Sequence, residues 1–158
     1  LMDLGATICS PRKPSCGLCP LNAQCVAFKA GNPESFPVKT AKSVKPLRRG
    51  AAFVAVNSAQ EILVTKRAPK GLLASMTQVP TSDWSSRKDG TSTREAAPFA
   101  ADWKARGSIR HVFTHFELEL SVFRTDTAMS APAGYWWSAD IASETLPSLM
   151  KKVIAAAL

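Results

Sequence analysis

The 158-residue sequence lacks several features that would assign it to a membrane or a secreted protein. It has no apolar run long enough to cross a bilayer, and no charged, apolar and small-residue series typical of a signal peptide. It has no cysteine after Cys25 and no initiator methionine. These absences predict a portion of a longer protein in a reducing, intracellular setting, where clustered cysteines are more often metal ligands than disulfides.

All four cysteines lie in the run CSPRKPSCGLCPLNAQC, with the spacing C-x6-C-x2-C-x5-C, as Cys9, Cys16, Cys19 and Cys25. Thiolates are soft ligands, and a set of four suits either zinc or an iron-sulfur cluster. Structural zinc sites more often pair their ligands as two close knuckles, whereas this run has a single C-x-x-C flanked by two longer arms. The spacing therefore favours a 4Fe-4S cluster and leaves zinc as the alternative.

The formal net charge of +8 is unevenly distributed. Residues 1–49 contain eight basic and two acidic side chains, so they hold most of the positive excess. Arg12 and Lys13 lie between the first two cysteines, with Pro11 and Pro14 on either side. A local positive excess attracts polyanions such as nucleic acids, and the alternative is an ordinary solvated surface.

Three zones follow one another along the sequence. LMDLGATIC resembles the last turn of an amphipathic helix stopped by Gly5, and it leads into the cysteine loop. A connector rich in proline, glycine, serine and lysine follows. From about Arg48 two apolar runs, 51–56 and 62–65, predict a hairpin whose turn is NSAQE. We expect a strand near 77–79 and a short helix over 93–104.

The clearest strand pattern is VFTHFELELSVFRT, in which apolar and polar residues alternate. It predicts one core face, made of Phe116, Leu118, Leu120 and Val122. GYWWS predicts a further strand. The tail LPSLMKKVIAAAL predicts a closing amphipathic helix with Pro147 in its first turn and three inward side chains, Leu149, Val153 and Ile154. Strands followed by a packed helix make the predicted fold class α+β.

Residues 1–25 resemble the cluster loop that ends the catalytic domain of helix-hairpin-helix DNA glycosylases, the group that includes endonuclease III and the MutY-type adenine glycosylases. All four cysteines fall at the spacing of that group, and the helix end before them matches as well. The resemblance implies that the four thiolates hold a 4Fe-4S cluster. It also implies that Arg12 and Lys13 contact the DNA backbone. The alternative is that both are ordinary solvated side chains on a metal-binding loop.

The remaining sequence resembles the extension of MutY-type enzymes, which has a MutT-like (Nudix) fold. KRAPKGLLASMTQVP is similar to the pattern R-P-x-x-G-L-L-x-G-x-W-x-x-P, and RHVFTHFELEL is similar to H-x-F-S/T-H-F-x-L. The implied architecture is α+β, with a short cysteine-rich cluster loop followed by a Nudix-like mixed sheet with flanking helices. The implied parts are residues 1–26 as the end of the catalytic domain and cluster loop, 27–47 as the connector, and 48–158 as the Nudix-like domain.

The resemblance implies a part in base excision repair. Its relatives remove adenine mispaired with 8-oxoguanine or guanine in double-stranded DNA, and in this chain Phe113, Thr114 and His115 would recognise 8-oxoguanine. The alternatives are a core position for Phe113 and an ordinary surface histidine at His115. Thr114 stands where serine is more usual, which keeps the hydroxyl. The catalytic carboxylates would belong to a catalytic domain in cis, so no catalytic residue is expected in this chain. We further expect a monomer, no membrane partner, and a place in the bacterial cytoplasm or nucleoid.

Two rival functions come from other classes. A Nudix pyrophosphohydrolase needs the glutamate-rich pattern G-x5-E-x7-R-E-x-x-E-E, whereas TREAAPF offers Arg94 and Glu95 without a following acidic pair, so we expect no hydrolase activity. A zinc-binding module that binds RNA or protein without lesion preference is the second rival.

For the connector we expect no zinc site. We expect it to be a flexible tether, and the alternative is that its three lysines, Lys39, Lys42 and Lys45, contact DNA or a partner protein.

Overall fold

The computed structural model describes residues 1–38 and 44–158. Two of the connector lysines, Lys39 and Lys42, lie outside the described residues. The chain divides into two compact units, Leu1–Val44 and Lys45–Leu158, and each is described by itself.

The first unit consists of short helical pieces. Helix α1 spans Met2–Thr7 and helix α2 spans Val26–Lys29, and three 3-10 turns occupy Cys16–Leu18, Asn22–Gln24 and Pro33–Ser35. Gly5 lies inside α1, so the prediction that it stops the helix is wrong, since a helix tolerates one glycine at a modest cost. No residue among 1–38 is buried, and a unit of this size without a hydrophobic core needs another source of stability.

The second unit is built on a six-stranded mixed sheet. Its strands are β1 (Leu47–Val56), β2 (Ile62–Lys66), β3 (Thr77–Gln78), β4 (Lys104–Val112), β5 (Glu117–Asp126) and β6 (Tyr135–Ser138), and helix α3 spans Ser148–Ala157. The strand order is β3-β2-β1-β5-β4, and β6 pairs with β2. The β1–β5 pair is parallel and the other pairs are antiparallel. The predicted α+β fold class, hairpin, final strand and closing helix are confirmed.

The central strand β1 is buried on both faces because each face of the sheet is covered. One face packs against α3, where Val54 of β1 and Leu118 of β5 belong to the same buried cluster as Leu149 and Val153. The other face places Phe53 against Trp103, with ring centroids 5.2 Å apart. Burial of apolar side chains on both faces supplies the main stabilisation of this unit.

The expected helix over 93–104 is wrong. Only Arg94–Ala96 forms a 3-10 turn, and the chain then runs irregularly to Lys104, where β4 begins. Pro98 has no N–H and disfavours a continuous helix. Trp103 is held by its indole N–H, which donates to the Phe99 carbonyl at 3.0 Å. Strand β4 gave no sequence signal because it is an edge strand whose side chains are mostly exposed.

A carboxylate joins the sheet to the loop before α3. Glu144 accepts hydrogen bonds from the Trp136 indole N–H at 2.9 Å and from the Thr77 hydroxyl at 3.0 Å. The Trp136 hydrogen bond lowers the pKa of Glu144 most, and the Ser138 and Thr77 hydroxyls add to the decrease. The ionised carboxylate thus ties β3 and β6 to the closing segment.

We expect Glu144→Ala to lower the free energy of unfolding by about 1–3 kcal/mol, because two donors lose their acceptor. The pKa of Glu144 is lower in the folded protein than the ordinary value of 4.5, so its stabilisation is present above that value and is lost as the pH falls through the folded pKa. Thermal unfolding of the variant and the wild type should therefore converge at acidic pH. Glu95→Ala, an exposed acid, is the control, and equal unfolding of the two variants at neutral pH would contradict the role of Glu144.

Candidate metal centre and nucleic-acid interface

The four cysteines surround one cavity of about 480 Å³ in the first unit. Local structure explains this convergence, because each cysteine stands at the end of a short element. Cys9 follows α1, and its N–H donates to the Leu4 carbonyl at 2.7 Å. Cys16 begins the first 3-10 turn and Cys19 follows it, and Cys25 lies between the second turn and α2.

The remaining lining of the cavity is mostly apolar and includes Ile8, Val26, Phe28 and Phe36. Partial desolvation raises the pKa of the Cys16 thiol, and the nearby Cys25, Cys9 and Cys19 thiols raise it further. Four thiolates that line one cavity repel one another unless a cationic centre neutralises them. The donor set is therefore soft and lies among mostly apolar groups.

The size of the cavity bears on the kind of metal centre that fits. No three His, Cys, Asp or Glu side chains among residues 1–38 and 44–158 are placed to hold a single metal ion. The four thiols instead face a common space several hundred Å³ in volume. Soft donors spread around such a space fit a polynuclear iron-sulfur cluster.

The basic residues between the first two cysteines lie on a constrained loop. The Ser15 N–H donates to the Ile8 carbonyl at 2.9 Å, which closes the loop at its base. Lys13 has a φ of 50°, a left-handed conformation that a side chain disfavours, and its N–H donates to the Glu34 carboxylate at 2.9 Å. The side chains of Arg12 and Lys13 are exposed, so both are available to a solvent-side anion.

The residues expected to recognise the lesion form the turn between β4 and β5. The Phe113 N–H donates to the Phe116 carbonyl at 2.8 Å, which closes the turn. The two rings are stacked, with centroids 4.6 Å apart, and Phe113 packs against the main core. Thr114 and His115 are exposed. The structure thus separates the three residues into one that holds the turn and two that face solvent.

Sequence reasoning missed the role of Lys45 in this turn. Its ammonium donates to the Phe113 carbonyl at 2.7 Å, and the neighbouring Pro46 carbonyl accepts from the Glu117 N–H at 3.0 Å. No local pattern could reveal this contact, because the partners of the first bond are 68 positions apart.

Two acids on β5 beside the turn are each paired with an arginine. Arg110 Nε lies 3.0 Å from a Glu117 carboxylate oxygen, and Arg49 Nε lies 3.6 Å from Glu119. Exposed ion pairs stabilise the fold little. Their consequence here is electrostatic, because the two carboxylates next to the turn are largely neutralised toward an approaching polyanion.

Residues 79–103 do not form the glutamate-bearing helix that a Nudix hydrolase needs. Across residues 79–103, all of which the structure describes, the helical segment is the three-residue turn Arg94–Ala96. Arg94 and Glu95 are exposed there. Asp89 is engaged by the backbone N–H of Arg49 at 3.2 Å. The carboxylates of this segment are therefore dispersed rather than gathered on one helical face.

Comparison with protein families assigns both parts of the chain. The family model of the NUDIX domain matches residues 51–156. The chain belongs to the NUDIX domain family. A second model, the iron-sulfur binding domain of endonuclease III, matches residues 9–25, which begin and end at cysteines of the cavity.

Curated relatives of this NUDIX-family chain are named adenine DNA glycosylase. The protein of Buchnera aphidicola (subsp. Schizaphis graminum) is 28% identical over 120 residues, covering 76% of this chain and 34% of the relative. The protein of Arabidopsis thaliana is 29% identical over 154 residues, covering 77% of this chain and 24% of the relative. A Mycobacterium tuberculosis protein is 47% identical over 53 residues, covering 34% of this chain and 14% of the relative. The chain thus spans about a third or less of the curated relatives it matches.

Solved structures show the same fold. The C-terminal domain of mouse MUTYH, in a complex with human PCNA, has a TM-score of 0.55 at 19% identity, covering 68% of this chain and 85% of that domain. A MutT NUDIX hydrolase from Burkholderia pseudomallei also has a TM-score of 0.55, at 14% identity, covering 72% of this chain and 100% of the hydrolase chain. The predicted Nudix-like fold and the resemblance to MutY-type adenine glycosylases are confirmed. Among the described residues, no helix is long and apolar enough to span a membrane.

Proposed function

We propose that this chain is the cluster-bearing and lesion-recognising part of an adenine DNA glycosylase, which removes adenine opposite 8-oxoguanine or guanine. The observation that carries the proposal is the presence, in one chain, of an endonuclease III iron-sulfur motif and a NUDIX domain. The names of the curated relatives support it. The activity would require a catalytic domain in the same protein, and we place the protein, as a monomer, in the bacterial cytoplasm or nucleoid.

In this proposal Cys9, Cys16, Cys19 and Cys25 hold a 4Fe-4S cluster. The cluster would supply structural rigidity to a unit in which none of the described residues is buried. The residues of the chain would then do the binding. Arg12 and Lys13 project from the constrained loop between two of the ligands and would contact phosphates of the DNA backbone.

The turn between β4 and β5 would read the base opposite the target adenine. 8-Oxoguanine has a carbonyl at C8 and an N–H at N7, where guanine has a C–H and a lone pair. The Thr114 hydroxyl both donates and accepts hydrogen bonds, so it can distinguish these edges. His115 lies beside it and is also exposed, and Phe113 would hold the turn in place through its packing.

Binding of the full chain to matched duplexes tests this function. The duplexes carry 8-oxoguanine:A, G:A or G:C at one central position and are otherwise identical. We expect the dissociation constant to be lowest for the 8-oxoguanine duplex at every salt concentration. Equal affinity for the three duplexes would overturn the proposed lesion recognition and would favour a module that binds without lesion specificity.

Arg12→Ala and Lys13→Ala should each weaken binding to all three duplexes by a similar factor. Each variant removes one proposed phosphate contact, so the slope of log affinity against log salt should decrease in magnitude by about 0.9. Lys151→Ala, which removes an exposed lysine of α3, is the matched control and should leave the slope unchanged. Unaltered slopes for the Arg12 and Lys13 variants would show that these side chains are merely solvated.

A further inference from the structure

We propose that Lys45 is a positioning residue for specificity, which sets the orientation of the turn that carries Thr114 and His115. This inference rests on the proposed function of the turn. It begins from one contact, the hydrogen bond of 2.7 Å from the Lys45 ammonium to the Phe113 carbonyl. Lys45 is partly buried, unlike an ordinary surface lysine.

The contact fixes the peptide group that leads into the recognition residues. A peptide group is planar, so the Phe113 carbonyl and the Thr114 N–H share one plane. The Phe113 N–H is already bonded to the Phe116 carbonyl at 2.8 Å. With Lys45 on its carbonyl, Phe113 is held at both of its backbone polar groups. The backbone direction at Thr114 therefore depends on the Lys45 bond.

The segment around Lys45 is itself held against the other arm of the turn. The Glu117 N–H donates to the Pro46 carbonyl at 3.0 Å, and Leu47 pairs with Glu117 where β1 and β5 begin their parallel ladder. Lys45 thus starts from a fixed backbone. A lysine on a fixed backbone loses less side-chain freedom when it bonds the turn than one on a mobile segment.

The ring of Phe113 supports the same turn from the core side. It stacks on Phe116, forms a T-shaped pair with the His111 ring at a centroid distance of 4.7 Å, and lies 6.5 Å from the Trp84 ring centroid. Ring packing has no hydrogen-bond direction, so it places the turn without setting the orientation of the Phe113–Thr114 peptide group. The ammonium of Lys45 supplies the directional contact that the packing does not.

This role makes predictions different from those of a phosphate-binding lysine. A phosphate contact stabilises every duplex equally and contributes to the salt dependence. A positioning contact changes only the interaction that depends on the orientation of Thr114 and His115. The ratio of affinities for 8-oxoguanine:A and G:A duplexes therefore separates the two roles.

The test uses Lys45→Met, which keeps the length of the side chain and removes its donors, with Lys151→Met as the matched control. We expect Lys45→Met to lower the ratio of affinities for 8-oxoguanine:A and G:A duplexes by about three- to tenfold, the range of one lost hydrogen bond. The slope of log affinity against log salt should be unchanged, and the affinity for the G:A duplex should stay within about twofold of wild type. Lys45→Arg, which keeps a donor, should restore part of the ratio. Equal loss on both duplexes, with a slope lower by about one phosphate contact, would overturn the inference.

A measurement on the free protein decides the inference independently of lesion binding. Backbone order parameters for Thr114 and His115 should be near those of rigid backbone, about 0.85, in the wild type and in Lys151→Met, and should fall toward about 0.6 in Lys45→Met. Unchanged order in Lys45→Met would overturn the role of Lys45. If the wild type has no lesion preference but Lys45→Met still loses backbone order at Thr114 and His115, the proposed function is overturned and the positioning of the turn by Lys45 is still supported.

Discussion

Replacing Cys19 with serine should reduce bound iron and acid-labile sulfide from about four of each per chain to a small fraction of that value. Cys19 lies in the single C-x-x-C of the chain, and its thiol lines the cavity shared with the other three cysteines. A serine hydroxyl is a harder and far less acidic donor than a thiol, so the cluster would lose one of its four connections. Anaerobic purification, metal analysis and the visible absorption spectrum measure the effect.

The control for this variant is Leu21→Ser, a polar substitution at an exposed position of the same loop. It should retain iron, sulfide and the absorption band. Full iron and sulfide in Cys19→Ser would contradict the assignment of Cys19 as a ligand. Stoichiometric zinc without sulfide in the wild type would instead support the zinc-binding alternative.

Replacing Thr114 with alanine should lower the preference for 8-oxoguanine:A over G:A duplexes by about three- to tenfold, which lies within the range for one lost hydrogen bond of about 0.5–1.5 kcal/mol. Thr114 is exposed, and the turn is held by Phe113 and Phe116, so removing the hydroxyl should leave the fold intact. Competition binding with the two duplexes measures the ratio.

Thr114→Ser is the matched variant because it keeps the hydroxyl and removes only the methyl group. It should retain the wild-type ratio within about twofold, since the hydrogen bond survives. An equal loss of preference in the alanine and serine variants would show that the methyl group, and not the hydroxyl, makes the contact. An unchanged ratio in both would remove Thr114 from the recognition site.

Sequence reasoning succeeded where one physical constraint dominates a segment. Strand β5 buries Leu118, Leu120 and Val122 on one face, and an alternating pattern is the direct result of that half-burial. Helix α3 buries Leu149 and Val153 on its inner side for the same reason, at helical spacing. The clustering of the cysteines around one cavity also follows from short turns between closely spaced residues.

It failed where contacts between distant segments decide the structure. Phe99 and Trp103 have helical spacing, but their rings pack together in an irregular segment because Trp103 is also in contact with Phe53 of β1. Edge strand β4 has no apolar alternation, because most of its side chains are exposed and its register is set by pairing with β5. The bond from Lys45 to Phe113 has no local pattern, so only the folded chain reveals it.

The measurement that tests the account most directly compares amide chemical shifts of the full chain bound to two duplexes. One duplex carries 8-oxoguanine:A and the other G:A, so they differ only at the C8 and N7 positions of one base. The account predicts that the shift differences concentrate at residues 113–116 of the turn. Differences that are absent there, or that concentrate in another part of the NUDIX domain, would contradict the claim that this turn reads the lesion.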